Sequence, residues 1–140
     1  MFDEMYISYL GQSTDERGLS YSLIESELSK IGKIRDVHIA EIRPRQIRGN
    51  HFHSKRGEII AVISTDWWSL HWDTGQGTEV RCRNFESGAV AVVPPSGWSH
   101  AIRNDGNSSL WIFAASDVAY EEDGADPRKR DTTRRVVVEQ

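Results

Sequence analysis

The sequence predicts an all-β domain, and three observations carry that prediction. Short β-prone runs recur at regular spacing, separated by Gly, Pro and Asn-Asp clusters. No segment sustains an apolar period of 3.6, so helix is a minor component. The 140 residues suffice for one hydrophobic core and are too few for two ordinary domains. Many short strands without internal repeats mean a sandwich or a barrel.

The elements follow in order. Met5 to Leu10 is a short aromatic and branched run, and Gly11 to Gly18 reads as a loop carrying Asp15-Glu16-Arg17. Leu19 to Glu25 is a candidate short strand; Ser26 to Gly32 holds the single plausible helical turn, stopped by Gly32. Ile34 to Ile42 alternates, with His38, Ala40 and Ile42 on one face and Val37, Ile39 and Glu41 on the other. Pro44 interrupts because it has no ladder donor. Ile47 to His53 is the next strand, turned by Ser54-Lys55-Arg56-Gly57.

Glu58 to Ser64 is apolar on both faces, as a strand between packed layers requires. Trp67 to Asp73, Glu79 to Phe85, Ala89 to Val93 and Ser109 to Ala115 complete the expected strands. Pro94-Pro95-Ser96-Gly97 is a stiff turn delivering Trp98, Ser99 and His100, and Asn104-Asp105-Gly106-Asn107 is a hairpin signal. Tyr120 to Arg135 is charged and reads as a partly ordered surface arm, with Val136-Val137-Val138 as an edge strand or a subunit contact. The expected layout is therefore one domain over residues 1–140: N-terminal strands over 5–32, a core over about 34–116 and a charged arm over 117–140.

Composition narrows the partners. A net charge of −4 gives no basic face for nucleic acid, and no apolar run approaches the ~20 residues of a membrane span. The N-terminus lacks the basic and apolar regions of a secretion signal, so the expected location is cytoplasmic. The single thiol, Cys82, cannot form an internal disulfide and is expected to be a small buried hydrophobe.

Chemistry concentrates at Arg48-Gly49-Asn50-His51-Phe52-His53. Strand alternation puts His51 and His53 on one face, two neutral nitrogen donors about one strand pitch apart. Such a pair suits a divalent metal, and by itself also fits a solvated surface feature.

Beyond the pair, Gly49-Asn50-His51-Phe52-His53 followed by Glu58 resembles the first motif of the cupins. Gly88 through Pro95-Ser96-Gly97-Trp98-Ser99-His100 to Asn104 resembles their second, with one extra residue between Gly88 and Pro95. The Gly that normally follows the Glu is replaced by Thr65-Asp66. The resemblance implies a cupin-type double-stranded β-helix, a jelly-roll barrel, with His51, His53, Glu58 and His100 as metal ligands. Glu58 has the wrong parity to share a face with His53 on one strand, so the chain must reverse over Ser54 to Gly57. Three imidazoles and a carboxylate suit zinc first, with iron, manganese or nickel compatible.

The upstream Asp15-Glu16-Arg17-Gly18-Leu19-Ser20 and the Arg-Gly-Asn-His-aromatic-His form narrow the resemblance. They are similar to the dTDP-sugar 3,4-ketoisomerases, to 3,5-epimerase-like proteins and to the C-terminal cupin of capsular-polysaccharide reductase/epimerases, where the matching site holds zinc. The implied activity is isomerisation or epimerisation of a nucleotide-linked keto-sugar in surface-polysaccharide synthesis, by a homodimer. A small-molecule-binding cupin without chemistry and a metal-dependent oxygenase-type cupin are the alternatives.

In the enzyme reading His38 is the candidate base, with Tyr21 or Tyr120 as acid. A lone imidazole on a strand also fits a hydrogen-bonded core residue, and His71 reads as surface or packing. Arg43, Arg45, Arg48, Lys55 and Arg56 surround the first motif and would hold a diphosphate or simply solvate the turn. Trp98 is the tryptophan placed to stack on a base or sugar; Trp67, Trp68, Trp72 and Trp111 read as core or interface.

Overall fold

Ile59, Ile60, Ala61 and Val62 are all buried. They are consecutive in strand β6 (Glu58–Ser64), so both faces of its sheet must be covered. The computed structural model describes residues 4–119 and 131–140 and shows what covers each face. One sheet has the order β1 (Tyr6–Tyr9), β9 (Gly88–Val93), β6, β11 (Leu110–Ser116), β4 (Asp36–Ile42). The other runs β12 (Thr133–Arg134), β5 (Ile47–Phe52), β10 (His100–Asn104), β7 (Trp68–Trp72), β8 (Arg81–Phe85). All their pairings are antiparallel.

From β4 to β7 consecutive strands alternate between the sheets; the β7–β8 hairpin stays in one, and β8 to β11 alternate again. This back-and-forth winding is a jelly roll. Between the sheets Ile60, Val62, Val92, Leu110 and Ile42 meet Trp68, Leu70, Trp72 and Ile102. Trp68 is fully buried and stacks on Phe85 with ring centroids 4.3 Å apart. On the outer side, Ile59, Ala91 and Val93 are covered by Tyr6, Leu10, Leu23, Leu28 and Ile31. The N-terminal segment therefore shields one half of the first sheet. On the other half Val37, Ile39 and Trp111 stay exposed.

Several local expectations are corrected. Gly11 to Gly18 is not a loop: β2 (Gly11–Asp15) and β3 (Gly18–Ser22) form a two-stranded ribbon. Asp15 closes its tip by accepting from the Arg17 amide at 2.8 Å. Every residue of β2 is polar or glycine and exposed, so no apolar alternation marks it. The helix is a single turn, α1 (Glu25–Leu28). His100–Asn104, within the second motif, forms strand β10, which is not among the expected strands.

Cys82 is exposed, because β8 is an edge strand and half of its pleat faces outward. The C-terminal edge strand is Thr133–Arg134, paired with β5, instead of Val136 to Val138. There Asn50 takes over the ladder's role: its Oδ1 accepts from the Val137 and Val138 amides at 2.9 and 3.2 Å. Of the tryptophans, Trp68 and Trp72 are core, whereas Trp67 and Trp111 lie on the surface.

Candidate functional site

A break in register builds the site. On β5, Gly49 (φ 103°) and Asn50 (φ 59°) both adopt left-handed backbone. As a result Ala101 faces Gly49 while His100 faces His51, leaving Asn50 as the extra residue of a bulge. Only glycine fits position 49, since a Cβ there would lie 2.6 Å from the His100 carbonyl oxygen. The bulge sets His51 directly beside His100, and His53 follows just past the strand end.

The chain then reverses, as the parity of Glu58 demands. The amides of Ser54, Lys55 and Arg56 all donate to the Asp131 carboxylate, at 2.9, 2.7 and 2.7 Å. Gly57 donates to Asp117 at 2.8 Å, and β6 begins with Glu58.

His51, His53 and His100 each offer a ring nitrogen, all within 4.8 Å of one another. Glu58 Oε1 lies 3.6 Å from His53 Nε2 and 3.8 Å from His100 Nε2. Two backbone carbonyls orient the rings: Asp131 O is 2.8 Å from His53 Nδ1, and Trp98 O is 3.1 Å from His100 Nδ1. Each carbonyl can only accept, so in the neutral ring each Nδ1 carries the proton and each Nε2 turns its lone pair inward. Both Nε2 atoms are buried without a hydrogen-bond partner, an arrangement whose desolvation cost is otherwise unrelieved.

Burial, then the neighbouring His100 and His53, hold His51 down to about 3, so its imidazole is neutral. Burial would also lower His53, but the Glu58 carboxylate and the Asp131 carbonyl raise it. Burial opposes the charge on Glu58, yet His100 and His53 beside it keep its carboxyl below the ordinary range. Three nitrogen donors and an ionised carboxylate around buried, unpartnered lone pairs are a donor set that fits a divalent ion.

A cavity of about 380 Å³ opens onto this set, and His38, His51, Glu58, His100 and Arg48 line its polar side. Ile47, Ile60, Ile102, Ile112 and Ala114 form the apolar side. Alternation could have found part of that wall, because Ile60 follows Glu58 by two residues and Ile102 follows His100 by two. His38 projects from β4 into the same space. Arg48 is steered by its Nε donating to Glu41 O at 2.8 Å.

The other predicted residues are placed elsewhere. Arg43 pairs with Glu41 at 3.3 Å and lines an adjoining groove of about 620 Å³ that shares Ile47 and Arg48 with the cavity. Arg45 donates to Gly106 O and to Asn107 Oδ1, bracing the Asn104 hairpin. The Lys55 amide serves the turn, and its side chain is not among the cavity lining. Trp98 packs against the core, and its carbonyl, rather than its ring, serves the site. Tyr21 sits on the β2–β3 ribbon, outside the cavity lining, and Tyr120 lies outside the described residues. His71 is buried on β7, with Nε2 2.8 Å from Ser69 Oγ.

Solved structures share this fold. A dTDP sugar isomerase from Desulfovibrio desulfuricans superposes with a TM-score of 0.72 at 14% identity, over 94% of this chain and 83% of that one. The sugar 3,4-ketoisomerase QdtA from Thermoanaerobacterium thermosaccharolyticum, solved with TDP, gives 0.68 at 12% identity over 96% and 90%. The capsular polysaccharide assembling protein CapF from Staphylococcus aureus gives 0.60 at 22% identity over 93% of this chain. This chain spans about a third of CapF, 34% of its length. No curated protein resembles the chain closely enough in sequence to count as a match. No helix among the described residues is long and apolar enough to cross a membrane. The fold is shared with these solved structures, and the match of residues 13–131 places the chain in the family described as the polysaccharide biosynthesis C-terminal domain.

Proposed function

We propose that this domain is a metal-dependent isomerase or epimerase of a nucleotide-linked keto-sugar, working in surface-polysaccharide synthesis. One observation carries the reading: His38, a group able to move protons, shares one cavity with His51, Glu58 and His100. Membership of a polysaccharide-biosynthesis family supports it. So do similarly folded proteins described as sugar isomerases, one of them solved with TDP-4-keto-6-deoxyglucose.

The chemistry follows from the groups present. Removing a proton next to a sugar carbonyl leaves negative charge on its oxygen. A divalent ion held by His51, His53, Glu58 and His100, zinc foremost, would polarise that carbonyl as a Lewis acid. His38, across the cavity, takes the proton and returns it to the neighbouring carbon. The isoleucine wall keeps water from the carbanion face. Arg48, at the junction of cavity and groove, and Arg43, along the groove, receive the diphosphate.

A cytoplasmic location and a homodimer belong to the same proposal. The surface a second copy would cover is the outer face of β4 and β11, where Val37 is 55%, Ile39 56% and Trp111 47% exposed.

The test is solvent exchange: the zinc-loaded protein in D2O with a panel of dTDP- and UDP-4-keto-sugars. Deuterium should appear at the carbon beside the carbonyl, with the rate falling at least about 100-fold in His38→Ala. Thermal stabilisation by a sugar with no exchange across the panel would leave a binding module. Iron in the purified protein with oxygen uptake would leave an oxygenase.

A further inference from the structure

Contacts that hold the ligand set from outside the cavity converge on Asp131. It lies 78 residues beyond His53 in sequence, and its backbone takes a left-handed φ of 36° that a non-glycine residue seldom adopts. Its carbonyl meets His53 Nδ1 at 2.8 Å, with Thr132 Oγ1 a weaker second neighbour at 3.4 Å. Its carboxylate gathers three consecutive amides of the turn, Ser54, Lys55 and Arg56. The following residues bind the same strand: Thr133 and Arg134 pair with Phe52 and His51, and the Asn50 side chain holds the Val137 and Val138 amides.

The consequence is chemical. A neutral imidazole has one N–H, and the Asp131 carbonyl can only accept it, so His53 is held as its Nδ1–H tautomer. The opposite tautomer would put that proton on Nε2, 3.6 Å from Glu58 Oε1, and leave no lone pair there for a metal. Three amides on one carboxylate also fix the reversal that presents Glu58, by charge-assisted bonds. The strained backbone persists because all these contacts over-determine it.

We propose that Asp131 is the positioning residue of this site, anchored by its carboxylate to the Glu58 turn so that its carbonyl sets the tautomer and orientation of His53. The proposal deepens the metal reading and rests on it only where affinity is concerned; the tautomer is a property of the neutral His53 ring in the metal-free chain.

The test uses the full chain and two readouts: long-range 15N–1H spectra of the histidine rings without metal, at a pH alkaline enough that the rings are neutral, and zinc affinity by competition with a chelator. Asp131→Ala is expected to lose the single Nδ1–H signature of His53 and to bind zinc about 10–100-fold more weakly. Asp131→Asn, which tolerates left-handed backbone but replaces one of the two accepting oxygens by a donor, should fall between the wild type and Asp131→Ala in both readouts. Gln140→Ala, at the far end of the strap where Nε2 donates to Arg45 O, should change neither. An unchanged tautomer in Asp131→Ala together with affinity within twofold of the wild type overturns the proposal, as does the same loss in Gln140→Ala. Should Asp131→Ala fail to fold, Asp131→Asn decides, and an unchanged tautomer with unchanged affinity there counts against it. If the wild type binds no zinc, the metal reading falls, and the tautomer comparison alone supports or overturns the positioning role.

Discussion

Strand β10 begins at His100 and ends at Asn104, and its two ends treat buried polar atoms oppositely. Both residues are almost fully enclosed, 2% and 1% exposed. Asn104 uses its whole amide: Nδ2 donates to Ile42 O and Ser108 O at 2.8 Å each, and Oδ1 accepts from Gly106 N at 2.9 Å. The hairpin around it is equally complete, with Asp66 accepting from the Trp67 and Asn107 amides at 2.8 Å each. His100 is anchored through Nδ1, but its Nε2, like that of His53, meets no hydrogen-bond partner. A buried polar group with every bond made holds a fold together. One held rigid with its lone pair aimed into a cavity costs stability, and is there for what it will meet.

That contrast can be broken by mutation. The largest expected effect on folding is Asn104→Ala, which strands two carbonyls and an amide in the interior. Urea unfolding should show a loss on the order of 3 kcal/mol or more. Next comes Gly49→Ala at the bulge, where left-handed backbone and the His100 carbonyl leave no room for a Cβ. It should lose about 2–3 kcal/mol and, by moving His51 away from His100, weaken zinc binding as well, measured on the same preparation by chelator competition. The smallest is His100→Ala in the metal-free chain, expected to cost about 1–2 kcal/mol: it loses the bond to Trp98 O and the ring's packing, but also removes an Nε2 that was itself unsatisfied. If His100→Ala proved more costly to the metal-free fold than Asn104→Ala, the division of β10 into a working end and a structural end would be wrong.

The sequence made the working end readable through parity and punctuation. His51 and His53 alternate onto one face, Ser54 to Gly57 turns the chain, and Glu58 returns on β6. The same alternation aimed His38 with Ala40 and Ile42, and the structure puts His38 in the cavity and the other two in the core. What stayed hidden was what alternation does not encode. Asp131 acts on a turn more than 70 residues away, through contacts that leave no periodic trace. Strand β2, Gly-Gln-Ser-Thr-Asp, is polar and exposed on both faces, so no pattern separates it from a loop. Arg45 and Arg48 look alike in sequence, yet one braces a hairpin and the other lines the cavity, because Arg45 precedes β5 with left-handed backbone (φ 68°) while Arg48 lies within the strand.

The central claim is that the unpartnered end of β10 is the wall of a metal centre. Its most direct test is the metal content of the chain, purified without added chelator, for wild type, His51→Ala and Glu58→Ala. The account predicts about one divalent ion per wild-type chain and near-complete loss in both variants. Equal metal content in all three, or a wild type that takes up no zinc when zinc is supplied, would contradict it.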